Sequence, residues 1–443
     1  MSDSITPREV ANEEGLIRQL SSVHQTTMAL GGAIGTGLFL ASGLAVNVAG
    51  PAVILSYLIV AGISLLLGRA LTEMAVLHPT AGAFGVYASI YVSPFAGYAV
   101  RVSYWLMQVI ATGAQLVAAS IYMGYWFPAV PGALWVLGFA VVLLGFNGGT
   151  VGRLGAIEYW LVMIKVVALI VFVGLAALVV SGVTGEPAIG LRHLTGNGGF
   201  LPFGIGGIWL GCCFTIYSFI GVEIVGVTSG EAQDPARTIP TAMRRMVFGL
   251  SAIYIVTIGL LTALSPWNQM GASESPFVRV MAGLGVPGAA DIMNAVVLSA
   301  ALSSSNANLY LIGRTLFSLA RAGFVPKSLG DVNSKGAPVN ALLASSVGLG
   351  AAVFVRALWP DSAYVWFFGV ALFGALFVWL MIFVTHIAFR RTATPWGSWI
   401  GAALIAAILL STWWAPGLRS TLVAGGPWLA LLAIGYRLSA ARA

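Results

Sequence analysis

The chain has 443 residues, of which 59% are hydrophobic and only 8% are charged, and its mean hydropathy is +0.94. Soluble domains are about one-quarter charged, and disordered chains are poor in apolar residues, so the composition excludes both classes. Because a membrane span needs about 20 apolar residues, the sequence predicts an all-α polytopic membrane protein of spans and short loops.

Apolar runs that end at charges, proline or glycine predict about twelve transmembrane helices. The segment 78–93 is more polar, and we interpret it as an interfacial helix. The short join at Gly50-Pro51 predicts a tight hairpin between spans 1 and 2. In chain order, the predicted spans cover residues 23–48, 52–77, 95–126, 132–147, 155–181, 204–230, 241–265, 288–320, 339–357, 362–389, 396–415 and 421–438.

The net charge of +7 comes from basic residues scattered between the apolar runs, a pattern that indicates membrane topology rather than nucleic-acid binding. With the N-terminus in the cytoplasm, sixteen of the 21 lysines and arginines fall in cytoplasmic segments and four in external ones. This bias predicts that both termini are cytoplasmic.

Two predicted spans contain a break near their middle. Span 1 has four glycines within residues 31–37, and each weakens a helix by about 1 kcal/mol relative to alanine. Span 6 has Gly221 followed by Glu223. Breaks at matching places in two inverted repeats point to the binding site of a transporter, although glycines in span 1 alone are also explained by close helix packing.

Each break exposes backbone groups that suit one end of a zwitterion. A half-helix that begins near Gly35 presents unpaired amide groups and a positive end to a carboxylate. A half-helix that ends within residues 217–220 presents unpaired carbonyl groups to an ammonium group. Together they predict a site that holds an amino acid by its backbone and leaves its side chain free.

Ionisable residues inside the bilayer are candidates for function, and three are found here: Glu158, Lys165 and Glu223. A buried lysine readily loses its proton, so Lys165 is a candidate proton carrier. Glu223 has a structural alternative, a hydrogen bond to the broken backbone. The four histidines and two adjacent cysteines show no metal-ligand spacing, so we expect neither a metal nor a cofactor.

Four blocks of the sequence resemble the amino acid transporter branch of the amino acid–polyamine–organocation superfamily, over about residues 20–400. They are residues 31–39 (GGAIGTGLF), 217–223 (YSFIGVE) with 230–235 (GEAQDP) and 238–240 (TIP), 158–166 (EYW and KV), and 303–314 (SSSN, Tyr310 and Arg314).

The resemblance implies the leucine-transporter-like fold, a 5+5 inverted repeat with two additional C-terminal helices. The expected divisions are a cytoplasmic tail at 1–22, repeats at 23–181 and 204–390, spans 11 and 12 at 396–438, and a cytoplasmic end at 439–443.

Site roles also follow from the resemblance. Amide groups of residues 35–37 would bind the substrate carboxylate, four carbonyl groups would bind its ammonium group, and Phe219 would be an aromatic gate. The expected substrate-binding residues are Ala33, Ile34, Gly35, Thr36, Gly37, Gln115, Tyr217, Ser218, Phe219, Ile220 and Gly221, with carbonyl roles for Ala33, Tyr217, Ser218 and Ile220.

Coupling is expected from Lys165 near spans 1 and 8, where its ammonium group replaces the sodium ion of related carriers. Ser303 and Ser304 are its expected neighbours, with Glu223 or Glu158 assisting. Gln115 departs from the family pattern, because many members carry a glutamate there and glutamine cannot titrate. This departure places coupling on Lys165 and weakens the case for a cationic substrate.

These observations predict a proton-coupled importer of L-amino acids, with neutral ones as the expected substrates, in a bacterial cytoplasmic membrane. Its partners are the amino acid, protons and the lipid bilayer, and its oligomeric state stays open. The alternatives are an exchanger, or a carrier of cationic or ω-amino substrates such as γ-aminobutyrate. More distant alternatives are a membrane-embedded enzyme and a nutrient sensor.

Overall fold

The computed structural model describes residues 21–80, 82–147, 151–183, 190–333, 338–391 and 394–440. These segments form helices and loops, and no strand occurs in them. Eight helical stretches of the described chain are long and apolar enough to cross a membrane, and three more apolar helices have 15 or 16 residues. Each predicted span contains helix, so an all-α polytopic architecture is confirmed.

The helices of the first half are α1 Ser22–Ala33, α2 Thr36–Phe39, α3 Ala41–Ala49, α4 Val53–Leu77, α5 Ala83–Tyr91, α6 Pro94–Trp126, α7 Gly132–Asn147 and α8 Val151–Ser181. Those of the second half are α9 Arg192–Thr195, α10 Gly204–Ser218, α11 Ile224–Val227, α12 Pro235–Leu264, α13 Pro276–Gly283, α14 Ala289–Arg321, α15 Val339–Leu358, α16 Ala363–Phe389, α17 Trp396–Ser411 and α18 Arg419–Ala440. The two longest helices, α6 and α14, pack along each other at the centre.

The predicted hairpin between spans 1 and 2 is present. Gly50 turns the chain with a φ of +64° and lies against Pro202, just before α10. At the other end of α10, both Gly37 and Tyr57 lie next to Ser218. The segments before and after Gly50 therefore run in opposite directions along the same helix.

Helix α5 differs from the expected interfacial helix. Its nine residues are too few to cross a membrane, as expected. However, residues 83–89 are all buried, and the Phe84 ring meets the Tyr104 ring of α6 at a centroid distance of 4.9 Å. Tight packing on α6 therefore encloses this helix within the protein instead of leaving one face to lipid.

Both predicted helix breaks are present. In span 1, helix stops at Ala33 and resumes at Thr36. In span 6, α10 ends at Ser218, and five residues of turn precede α11 at Ile224. Helices α12, α14 and α6 surround the two breaks and supply the side chains of the site described next.

Candidate functional site

The two breaks line a shared cavity of about 30 Å³. A cavity of this size has room for one or two water molecules, so an amino acid enters only if the surrounding helices move. The cavity wall consists of Gly32, Ala33, Gly35, Thr36, Gly37, Gln108, Ala111, Gln115, Tyr217, Ile220, Gly221, Glu223, Ile224 and Asn308. Eight of the eleven expected substrate-binding residues line it, and Ile34, Ser218 and Phe219 do not.

Glycines allow the two broken segments to meet through their backbones. A Cβ atom at Gly37 would lie 3.0 Å from the Cα atom of Ser218. Gly221 has a φ of +117°, and a Cβ atom there would lie 3.1 Å from the Cα atom of Ala33. Side chains are thus kept out of the contact, and main-chain groups border the cavity.

The amide groups at the span 1 break are only partly available. The amide of Gly35 donates to the Ala33 carbonyl at 3.0 Å. The amides of Thr36 and Gly37 have no acceptor among the described residues. Helix α2 has four residues, too few to build up a macrodipole, so these two amides are the groups that suit a carboxylate.

Most of the carbonyl groups expected to bind an ammonium group already have protein donors. The Tyr254 hydroxyl reaches the carbonyl oxygens of Ala33 at 3.2 Å and Ser218 at 2.8 Å. The Tyr217 carbonyl accepts from the amide of Ile220 at 3.3 Å. Buried carbonyls freed by a helix break need replacement partners, and three of the four expected carbonyls have one. Only the carbonyl of Ile220 has no donor among the described residues.

Two tyrosines hold the breaks in place, and the sequence analysis did not identify either. Tyr254 in α12 contacts both breaks, as described above. Tyr364 in α16 donates to the Thr36 carbonyl at 3.3 Å. Nothing in the local sequence marks these tyrosines, because their role depends on contacts between distant spans.

Lys165 lies where the resemblance implied. It is fully buried, and its Nζ atom donates to the Gly31 carbonyl in span 1 at 2.9 Å. The Ser304 hydroxyl of α14 lies 3.2 Å from the same oxygen and 3.3 Å from the Ile34 carbonyl. Ser303 is also buried, whereas the side chain of Glu158 lies outside the described residues. Lys165 and Ser304 therefore both contact the end of α1 next to the break.

Glu223 has one carboxylate oxygen in a structural role and one without a hydrogen-bond partner. Its Oε2 atom accepts from the amide of Gly221 at 3.0 Å and from the indole of Trp379 at 3.3 Å. Its Oε1 atom is buried with no hydrogen-bond partner. Since Glu223 lines the cavity, Oε1 is an acceptor that a ligand donor would satisfy.

The position of Phe219 does not support the expected aromatic gate. Its side chain is fully buried and packs between the rings of Tyr254 and Tyr57, at centroid distances of 5.2 and 6.4 Å. The turn after Ser218 directs it into this aromatic cluster. The ring at the cavity is instead that of Tyr217, which packs against Phe368 at 4.4 Å.

Carboxamides form the polar part of the opposite wall. Gln108 and Gln115 are two helical turns apart on α6, and Asn308 lies on α14. The Oε1 atom of Gln115 is buried without a partner. Among the residues that the structure describes, no group of histidine, cysteine or acidic side chains is arranged to hold a metal ion.

Comparison with known proteins places this architecture in a family. The sequence matches the amino acid permease family over residues 24–439. The chain belongs to this family. It is 36% identical over 436 residues to the aromatic amino acid transport protein AroP of Escherichia coli O6:H1, covering 96% of each chain. It is 34% identical over 441 residues to the uncharacterized amino acid permease YtnA of Bacillus subtilis strain 168, covering 96% of this chain and 95% of that one.

Membership settles the broad class of function. The permease is an amino acid transporter of the amino acid–polyamine–organocation superfamily and a multi-pass inner-membrane protein. The family and its relatives are transporters and not enzymes, so the alternative of a membrane-embedded enzyme is wrong.

The close approach at Gly35 gives a first prediction. A Cβ atom there would lie 3.0 Å from the Cβ atom of Ser304 and closer still to its hydroxyl. We expect Gly35→Ala to lower amino acid uptake by about tenfold or more, because the shifted break misplaces the Thr36 and Gly37 amides. Gly62→Ala is the matched control, since a Cβ atom there meets nothing within 4 Å. Equal uptake by the two variants would contradict this role.

The bridge formed by Tyr254 gives a second prediction. Tyr254→Phe leaves the buried Ser218 carbonyl without its donor, whereas the Ala33 carbonyl keeps the Gly35 amide. An unsatisfied buried group costs about 1–3 kcal/mol. We expect a lower thermal unfolding temperature and weaker substrate binding, measured as a ligand-induced thermal shift. Tyr57→Phe is the control, because the Tyr57 hydroxyl makes only a 3.4 Å contact with the Ser218 hydroxyl. A larger effect from Tyr57→Phe would contradict the assignment.

Proposed function

We propose that this permease imports neutral L-amino acids together with protons by alternating access. The observation that carries the proposal is the facing pair of helix breaks around one cavity. The free amides of Thr36 and Gly37 suit the substrate carboxylate, and the Ile220 carbonyl and Glu223 Oε1 suit its ammonium group. These groups recognise what all amino acids share.

Charge in the cavity wall supports neutral substrates. Glu223 is the only ionisable acidic or basic side chain among the described wall residues, and the substrate ammonium group balances it. The other polar residues of the wall are uncharged: Gln108, Gln115 and Asn308 carry carboxamides, and Thr36 and Tyr217 carry hydroxyl groups. No wall residue is then left to pair with a charged substrate side chain.

Aromatic amino acids are the neutral substrates that we propose first. The relative AroP is named as an aromatic amino acid transport protein. In this chain, the Tyr217 ring lines the cavity and continues into the ring of Phe368. Aromatic rings favour offset or edge-to-face neighbours, so this wall suits an aromatic side chain.

Lys165 is the proposed proton-carrying residue. Its ammonium group bridges α8 to the Gly31 carbonyl, and loss of the proton would weaken this contact with the end of α1. Ser304 contacts the same carbonyl from α14. Protonation of Lys165 would therefore control how firmly α1 is held, which supports coupling between proton movement and opening of the cavity.

Contacts beside the cavity support alternating access. The Gln25 amide donates to the Thr228 carbonyl at 2.8 Å, and Ser229 donates to the Thr80 carbonyl at 3.2 Å. Arg314 pairs with Glu231. These bonds close the side of the cavity next to α1 and α11, so transport requires that they break. From the matching breaks in spans 1 and 6 we also propose that the two halves form inverted repeats, and from the bias of lysine and arginine that both termini are cytoplasmic.

A second candidate function follows from the free oxygen of Glu223. If Oε1 binds a side-chain amine instead of the α-ammonium group, the permease would carry ω-amino or cationic substrates, or exchange them. Counterflow that runs equally fast without a proton gradient would support exchange. Saturation by γ-aminobutyrate in place of phenylalanine would support the ω-amino alternative.

Uptake by the reconstituted protein is the direct test of the proposed function. Vesicles that contain the wild-type chain should accumulate labelled phenylalanine or leucine when the proton gradient is directed inward. Collapse of the gradient should abolish accumulation. Failure of every neutral amino acid to bind or enter would contradict the proposal.

Lys165→Ala separates coupling from binding. We expect loss of concentrative uptake while a substrate-induced thermal shift remains, because the lysine contacts the Gly31 carbonyl and does not line the cavity. Lys327→Ala, at an exposed lysine, should accumulate substrate like the wild type. Wild-type accumulation by Lys165→Ala would show that the proton takes another route.

A further inference from the structure

A second cavity, of about 250 Å³, lies between α4, the end of α16 and the start of α17. It shares no residue with the wall of the first cavity. Its charged and polar wall residues include Arg69 and Glu73 from α4, His386 from α16, Arg390 directly after α16, and Ser398 from α17.

The Glu73 carboxylate in this cavity already has hydrogen-bond partners. The Oε2 atom of Glu73 is 3.0 Å from Nε2 of His386 and accepts from Nε of Arg390 at 2.8 Å. The other nitrogen of the His386 ring lies 2.8 Å from the Ser398 hydroxyl. This network connects three helices, and within it the negative charge of Glu73 is paired with Arg390.

Arg69 is left with an unmatched positive charge. It precedes Glu73 by four residues on α4, a spacing at which opposite charges normally pair. Because Glu73 binds His386 and Arg390 instead, Arg69 forms no ion pair or hydrogen bond with any described residue. The two arginines outnumber the one carboxylate, so the cavity is positive.

The first turn of α17 adds to this positive character. The helix has 16 residues and begins after Pro395 with no side-chain cap. Pro395 and Gly397 both line the cavity. The amides of Trp396 and Ser398 donate to the carbonyls of Thr394 and Pro395 at 3.0 and 2.8 Å, which leaves the Gly397 amide as the first-turn donor without an acceptor among the described residues. A free amide at the start of a helix favours an anion.

Exposed tryptophans indicate the depth of this cavity in the membrane. Trp396 and Trp399, in the first turn of α17, are 71% and 52% exposed. Tryptophans concentrate where lipid headgroups meet the hydrocarbon. The bias of lysine and arginine places this end of α4 and α16 on the cytoplasmic side, where basic pockets between membrane helices bind anionic headgroups.

We infer that this cavity binds the phosphate of an anionic phospholipid headgroup, with Arg69 and the Gly397 amide of α17 as the contacts. The acyl chains would then extend along the apolar surface beside Trp396 and Trp399. A lipid held there contacts α4 and α17 at once, and it would stabilise the packing between them. This site is independent of the proposed substrate and of proton coupling.

Binding of defined lipids to the purified full-length chain tests the inference. The probes are phosphatidylglycerol, phosphatidylcholine and inorganic phosphate, with lipid retention read by native mass spectrometry and stability by thermal unfolding. The wild type should retain phosphatidylglycerol in preference to phosphatidylcholine and unfold at a higher temperature with it. Arg69→Gln should bind phosphatidylglycerol about fivefold more weakly, as expected for one lost basic contact.

Two further variants keep the test decisive. Arg237→Gln is the matched control, because the Arg237 side chain is 91% exposed and does not line this cavity, so its lipid affinity should equal that of the wild type. Thr394→Glu adds a negative charge at the cavity rim and should also weaken phosphatidylglycerol binding, which provides a second variant if Arg69→Gln misfolds. A preserved substrate-induced thermal shift would confirm that the variants are folded.

Three outcomes would overturn the inference. Equal phosphatidylglycerol affinity in the wild type and the folded variants would exclude this cavity. Equal retention of phosphatidylcholine would exclude recognition of an anionic headgroup. An equal thermal shift from inorganic phosphate would identify a soluble anion, and not a lipid, as the ligand.

Discussion

Gly37 packs against Ser218, and Gly221 packs against Ala33, so the two interrupted helices meet backbone to backbone. A Cβ atom at either glycine would collide with the other segment. The two breaks consequently lie in direct contact. The position of the cavity, its small size and the kind of group on its wall all follow from this constraint.

Interrupting a helix away from water creates an energetic problem, because freed peptide groups cannot remain unsatisfied there. The protein solves it with long-range side chains. The Tyr254 hydroxyl contacts one carbonyl from each break. Tyr364 donates a hydrogen bond to the Thr36 carbonyl, and Lys165 and Ser304 both donate to the Gly31 carbonyl. The few main-chain groups that remain without partners are the ones that can recognise a ligand.

These hydrogen bonds also connect recognition to movement. Helix α1 is held by α8 through Lys165, by α14 through Ser304 and by α12 through Tyr254. Any rearrangement that admits an amino acid to a cavity of about 30 Å³ must change some of these bonds. A titratable group among them provides a physical basis for coupling, whereas the carboxamide of Gln115 cannot titrate.

Much of the architecture was predictable from the sequence because its causes are local. Twelve apolar runs identify the spans, since the hydrocarbon core sets their length and composition. Glycine clusters identify both breaks, and the short Gly50-Pro51 join identifies the hairpin. Seven cavity residues followed from the same two motifs, and Gln115 followed from the family resemblance. The position of Lys165 beside span 1 followed from the family resemblance alone.

Tertiary structure decided which groups remain free. The sequence predicted four carbonyls for the ammonium group, yet the fold pairs those of Ala33, Tyr217 and Ser218 and leaves that of Ile220. The fold also directs the Phe219 ring toward the ring of Tyr254, within an aromatic cluster. The sequence by itself determined that the helices are apolar and where they break, because these depend on neighbouring residues. Only the packed structure determined the hydrogen-bond partners, because they come from spans distant in the chain.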